Sequence, residues 1–159
     1  MDFFTIGVFN STEQEFFNKL INNQIDTFCD IRQRRGVRGA TYAFVNSNRL
    51  QDKLNRAGIK YRHELGLAPT VEIRSVQKGI DLEKGETNKE RQQLAQSYKT
   101  EYISKILNKF DFENFISELR AAGANRVVFF CVEEFPEACH RSLVAQRLHD
   151  QYGFRVSHL

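Results

Sequence analysis

The stretch CVEEFPEACHRS, from Cys131 to Ser142, places Cys139, His140 and Arg141 side by side where an apolar run gives way to a helix-like pattern. A free thiol with a pKa of about 8.5 is mostly protonated at neutral pH. A helix N-terminus and cationic neighbours lower that value and produce the thiolate, which is the attacking species. Pro136 suits the first position of a helix, which would put Cys139 in the first turn, near the positive end of the helix dipole. Cys139 is therefore a candidate nucleophile. The competing reading is a small side chain packed beneath the helix, because free cysteine is among the most buried residue types. Arg141, His140 and the uncommitted N–H groups of a helix start together suit a phosphate or carboxylate. Otherwise Arg141 pairs with Glu133 or Asp30 and merely holds the turn. Glu133 either orients Arg141 or moves protons beside a bound anion.

Other segments carry residues of the same chemical kinds. Asp30 and Arg32 follow a second apolar run, and Asp30 reads either as a catalytic carboxylate or as half of an ion pair. Tyr61 and His63 close a third run; Asn10 follows the first, and His158 ends the last. Arg32 and Arg35 are candidate anion contacts. Cys131, Cys139, His140 and His63 are metal-ligating types, but their spacing matches no zinc pattern. Adjacent residues on a helix also diverge, so no metal site is expected and any cofactor is left open. Cys29 and Cys131 lie inside apolar runs and are expected in the core.

The chain has 159 residues, 41% apolar and 27% charged, which suits one soluble domain with a sizeable core. No run of about 18 apolar residues is present and no membrane partner is expected. The start, MDFFTIGVFN, reads as a strand rather than a signal peptide. Three cysteines make no disulfide framework, and the expectation is a cytoplasmic protein with reduced thiols. The net charge of +3 hides an uneven distribution. Between Arg32 and Arg62 nine Lys/Arg face a single acid, Asp52. Such a run is either a solvated face or a site for an anionic partner.

The elements that must position these residues alternate in type. Strands are expected over FFTIGVF, IDTFCDI, IKYRHE, RVVFFCV and FRVSHL. A capping box at Ser11 or Thr12 opens a helix containing Phe16, Phe17, Leu20 and Ile21. SNRLQDKLNRAG is a helix stopped at Gly58. Residues 65–88 have no clear period and read as a long surface connection. From Lys89 to Phe110 the positions Leu94, Tyr98, Tyr102, Ile103 and Ile106 recur at helical spacing, and FENFISELRAAG is helical again. The prediction is a single α/β domain over 1–159, a mainly parallel sheet of about five strands with helices on both faces, Rossmann-like. In such sheets ligands bind beyond the carboxyl ends of the strands, where the residues above collect.

In order along the chain, TIGVFNSTEQEF, CDIR, GIKYRH and FFCVEEFPEACHRSLVAQRL resemble the domain of unknown function 488 family. The resemblance covers nearly the whole chain. It rests on Asp30 and Arg32, Tyr61 and His63, the Cys131–Glu133 pair, Pro136, the Cys139-His140-Arg141 block and the terminal His158. The chain departs from the family pattern at Val8 and Phe9, in QRRGVRG after Arg32, and at Ala68 and Pro69. The resemblance implies a fold and a shared site, with no reaction attached.

The leading functional expectation is an enzyme, a hydrolase or group transferase, acting on a small phosphorylated or nucleotide-like anion. Cys139, Glu133, Asp30 and His63 are its candidate catalytic residues. Arg141, His140, Arg32, Arg35, Tyr61, Asn10 and His158 are its candidate binding residues. The alternatives are a nucleic-acid-binding module that uses the arginine-rich segment, and a redox or metal-dependent regulator built on Cys131, Cys139 and His140. Substrate and oligomeric state are not legible.

Overall fold

The computed structural model describes all of residues 1–159. Five strands, β1 (Asp2–Ile6), β2 (Thr27–Asp30), β3 (Lys60–His63), β4 (Arg126–Phe130) and β5 (Val156–His158), form one sheet in the order β3-β2-β4-β1-β5. Every pair is parallel. The expected α/β architecture holds, and the three inner strands β2, β4 and β1 are buried on both faces because both are covered, whereas the edge strands β3 and β5 are not.

Alternation within the strands separates two cores. Phe4, Phe28, Val128 and Phe130 point to one face, against Phe16 and Leu20 of α1 (Glu13–Asn22) and Leu50 and Leu54 of α2 (Ser47–Arg56). Phe3, Cys29, Val127 and Phe129 point to the other. That face is covered by α3 (Val71–Lys84), α4 (Gln96–Tyr102), α5 (Phe112–Ala121) and α6 (His140–Tyr152). Thr12 and Glu15 make the expected capping box at the start of α1. Cys29 lies in the core, where burial pushes its thiol up to about 12.

Three sequence expectations need correction. Residues 71–84 form helix α3, capped by Thr70 and ended by Gly85 at φ +68°, where a connection was expected. Its buried side chains are Ile73, Gln77 and Asp81, an i, i+4, i+8 stripe that is two-thirds polar, so no apolar period betrays it. The helix expected from Lys89 begins only at Gln96, and it continues as a π-helical turn over Ile103–Leu107. Finally, Pro136–Ala138 is a separate 3₁₀ turn, so Cys139 is the N-cap of α6 rather than a residue of its first turn.

The connection after β1 leads to α1 on one face, whereas the connection after β4 leads to α6 on the other. β1 and β4 are neighbours, so their carboxyl ends diverge at a topological switch point, the place where open α/β sheets form crevices.

Candidate functional site

The loop after β4 crosses this switch point under close constraint. Val8 and Phe9 both donate their main-chain N–H to the Val132 carbonyl, at 3.1 and 3.0 Å. Arg141, 1% exposed, donates to the carbonyls of Glu133 and Glu134 at 2.6 and 2.7 Å. Arg91 reaches in from the segment between α3 and α4. It donates to the Asp81 carboxylate at 2.6 Å, to Glu133 Oε1 at 3.2 Å and to the Ala138 carbonyl at 3.0 Å. Two buried guanidinium groups thus fix the main chain on both sides of Pro136.

That loop carries the side chains that the sequence offers as candidates for chemistry. Cys139 has extended backbone angles, φ −138° and ψ 144°. Because it stands outside the helix, its side chain does not diverge from that of His140, contrary to expectation: Cys139 Sγ lies 3.8 Å from His140 Nδ1. His140 Nε2 lies 3.1 Å from the Ile31 carbonyl just past β2. A carbonyl only accepts, so Nε2 carries the proton and Nδ1 faces the sulfur. Cys131 Sγ joins the group, and the three ligating atoms lie within 4.8 Å of one another. Cys131 is buried, as expected, but it belongs to neither apolar cluster. Its single S–H proton has two acceptors in reach, Glu133 Oε2 at 3.1 Å and the Cys139 sulfur.

The electrostatics of the group follow from burial and neighbouring charge. Burial opposes ionisation of Cys139, but the Cys131 thiol and the charges of His140 and Arg141 outweigh it and hold its pKa well below the thiol range. Cys131 is pushed up by its contact with Cys139 and by burial. Burial and the Cys139 charge raise Glu133 to about 7, against the pull of Arg91 and His140. Burial works against protonation of His140, yet the negative charge on Cys139 raises its pKa overall.

Above the group opens a cleft of about 690 Å³. Cys131, Glu133 and His140 are on its floor and Tyr98 is beside them. One wall is the loop after β2 with Arg34 and Arg38; the other is α3 and the segment after it, with Arg74, Lys78 and Lys89. None of these five cations is within 4 Å of a carboxylate; the nearby Arg32 and Arg91 are both ion-paired. Lys89 lies over the rings of Phe9 and Tyr42 at 5.5 and 5.4 Å from their centroids.

The sequence candidates are only partly brought together. Glu133, His140 and Arg32 line the cleft. Cys139 lies directly behind the floor, 1% exposed. Asp30 is fully buried and doubly bonded to Arg32, at 2.8 and 2.7 Å, with Tyr61 Oη donating to it at 2.9 Å. His63 Nε2 meets the Arg32 carbonyl at 2.9 Å. Arg35 does not line the cleft; its guanidinium is near Tyr61, which raises its pKa. Arg141 is held by main-chain carbonyls, and neither Asp30, Asp81 nor Glu133 pairs with its guanidinium. Asn10 lines a second, smaller hollow with Arg49 that shares Tyr42 with the cleft, and its side chain bonds Glu134. His158 Nδ1 bonds Thr5 Oγ1 at 2.6 Å on the edge of the sheet away from β2.

The +8 run is not one surface. Arg49 and Lys53 pair with Glu13, Lys60 with the Ala122 carbonyl, and Arg62 with Glu64 and Glu118. Sequence reading missed Arg91, Asp81, Arg74, Lys78 and Lys89. Their only signal was the i, i+4 spacing of Arg74 with Lys78 and of Gln77 with Asp81 inside a stretch without apolar period. No helix is long and apolar enough to cross a membrane.

A protein-family model described as Domain of unknown function DUF488 matches residues 12–148. No curated protein and no solved structure matches the chain. The chain belongs to the DUF488 family.

Proposed function

We propose that this DUF488 protein is a cytoplasmic enzyme that draws a small phosphorylated or nucleotide-like anion into the cleft and performs hydrolysis or group transfer at its floor. The observation that carries the reading is convergence. Five cations without carboxylate partners, Arg34, Arg38, Arg74, Lys78 and Lys89, flank a floor made of a sulfur, a carboxylate and an imidazole. Unpaired cations around a concave, partly desolvated site favour an anion more than the same charges on an open surface would. Cys131 is the sulfur that a bound ligand meets, with Cys139 directly behind it, and Glu133 is placed to take or give a proton. Asp30, His63 and Tyr61 support the loop after β2 through Arg32 and do no chemistry themselves.

The reading as a nucleic-acid module draws support from the exposed Arg34 and Arg38 and from the aromatic pair Phe9 and Tyr42 at the cleft mouth. The division of the basic run among separate ion pairs weakens it.

A thermal-shift screen of nucleotides, sugar phosphates, pyrophosphate and a single-stranded oligonucleotide separates these readings. Stabilisation by a small phosphate compound, lost in Arg38→Ala/Lys78→Ala, is expected. Its turnover should be lost in Cys131→Ser. Stabilisation by the oligonucleotide alone would replace the enzyme reading, and no shift with any of them would remove both.

A further inference from the structure

We infer that Cys131 Sγ, Cys139 Sγ and His140 Nδ1 form a three-ligand site for a borderline divalent cation, with zinc(II) the best match. The inference deepens the enzyme reading, because the cation would stand where the reactive end of the anion arrives.

Four geometric observations carry it. The three donor atoms lie within 4.8 Å of one another, although they come from two elements, the end of β4 and the start of α6. Tetrahedral zinc with bonds of about 2.3 Å to sulfur and 2.0–2.1 Å to nitrogen needs donor separations of roughly 3.5–3.8 Å. The Cys139–His140 pair is already at 3.8 Å, and a small movement of Cys131 closes the triangle.

The second observation is the imidazole. Its Nε2–H is committed to the Ile31 carbonyl at 3.1 Å, which leaves Nδ1, beside the sulfur, as the nitrogen that gives up its proton when a metal ion binds. Metal-bound histidines are held in this way, the far nitrogen bonded to a carbonyl or carboxylate that fixes ring and tautomer. The third is rigidity. Arg141 and Arg91 bind the carbonyls of Glu133, Glu134 and Ala138, so the loop that spaces the two cysteines is fixed before any ligand arrives.

The fourth concerns what remains open. Cys131 and His140 are on the cleft floor, so the fourth position of a tetrahedron faces the cleft, as in catalytic rather than structural zinc sites. Glu133 stands beside that position, with Oε2 3.1 Å from Cys131 Sγ and Oε1 anchored by Arg91. Two thiolates balance the charge of the ion, and Glu133 keeps Arg91 as its counter-charge. Two sulfurs with one imidazole select zinc-like ions over magnesium or calcium, which prefer oxygen donors. A cation here would supply a bound water as nucleophile, with Glu133 as its proton acceptor, and both cysteines would serve as ligands.

The test uses the full chain, purified under reducing anaerobic conditions, stripped by chelation, and titrated with cobalt(II) and then with zinc(II). We expect one cobalt per chain, a thiolate-to-cobalt charge-transfer band with tetrahedral d–d bands, and displacement of both by zinc. Cys131→Ser and Cys139→Ser should each lose roughly half of the charge-transfer intensity, one of two thiolate bonds to the metal. Should either variant misfold, the wild-type spectrum alone decides. Cobalt that binds without a thiolate band, or no binding at all, overturns the site. The phosphate thermal-shift screen repeated on stripped protein keeps the two readings apart. Phosphate stabilisation without a cobalt signature removes only the metal. A cobalt signature with no stabilisation by any phosphate, stripped or zinc-loaded, removes only the anion reading.

Discussion

Arg141 and Glu133 are joined through the main chain: Nη1 of the buried guanidinium donates to the Glu133 carbonyl at 2.6 Å, while Nη2 takes the next carbonyl, that of Glu134, at 2.7 Å. The residue that the sequence offers as the ligand's anchor is thus the anchor of the loop that carries Glu133 and leads to Cys139 and His140. Five predictions follow from this loop and its surroundings.

Replacing Arg141 with methionine leaves two carbonyls without their charged donor. Each such bond contributes about 1.5–3 kcal/mol, so the variant should lose roughly 3 kcal/mol or more of unfolding free energy. Lysine should not restore it, because one ammonium cannot reproduce the two-pronged geometry. Urea unfolding of the three proteins checks this. A methionine variant as stable as wild type would mean that the loop is held by other contacts.

The same loop explains Gly7. A Cβ at that position would lie 2.0 Å from the Glu133 carbonyl oxygen and 3.2 Å from Arg141 Nη2. The nearer atom is backbone and cannot swing aside. Gly7→Ala should therefore cost about 2–3 kcal/mol, at the upper end of overpacking effects, and displace the loop after β4. Urea unfolding gives the cost, and the rate of Cys131 alkylation should rise as the loop lifts. An unchanged stability would contradict the close approach.

Asp30 and Arg32 make a buried two-bond ion pair with Tyr61 as a third member. Breaking such a pair from one side costs about 3–5 kcal/mol, because a buried charge is left alone. Asp30→Asn and Arg32→Met should each show that loss, and the double variant should lose less than the sum. Tyr61→Phe should cost only about 1 kcal/mol. A double-mutant cycle with additive losses would count against the coupling.

The cleft cations are exposed and unpaired, so they should matter to ligands and not to folding. Arg34→Ala/Arg38→Ala and Arg74→Ala/Lys78→Ala should each leave the unfolding free energy within about 0.5 kcal/mol of wild type. Each pair should weaken pyrophosphate binding roughly tenfold at low salt, about 1.4 kcal/mol, and by less as ionic strength rises. Calorimetric titration at two salt concentrations measures both effects. A stability loss without an affinity loss would reverse the assignment.

His158 supplies a pH test at the far edge of the sheet. Partial burial and the Arg141 charge lower its pKa below the ordinary 6.5. The folded state thus prefers the neutral ring. Its contribution to stability is present above the unfolded value and disappears as the pH falls through the lower folded value. An NMR titration should find His158 below 6.5, and Arg141→Met should move it up. A normal value in wild type would show that the ring is better solvated than its bond to Thr5 implies.

Local chemistry made much of this protein legible from its residues. Apolar runs of strand length, the Thr12–Glu15 cap and the glycine stops are determined by neighbours a few positions away, so strands, most helices and the parallel α/β class could be read in advance. The Cys139-His140-Arg141 block was identifiable as a candidate site by residue type. Tertiary structure alone decided that His140 lines the cleft while Cys139 and Arg141 are buried behind it. Helix α3 was invisible because its inward stripe is Gln77 and Asp81, polar residues whose burial makes sense only once Arg91, the Ala95 main chain and the loop after β4 are in place. The basic run looked like one surface because sequence neighbours share a charge, and folding scattered it among partners as distant as Glu13 and Glu118. Cys131 looked like core because its preceding residues are. One position past the last paired residue of β4, the sheet ends and its sulfur meets Cys139 and Glu133. Propensity acts over a turn of chain and can be read there. A site at the switch point of a sheet is made by segments a hundred residues apart, and only packing brings their charges within reach of one another.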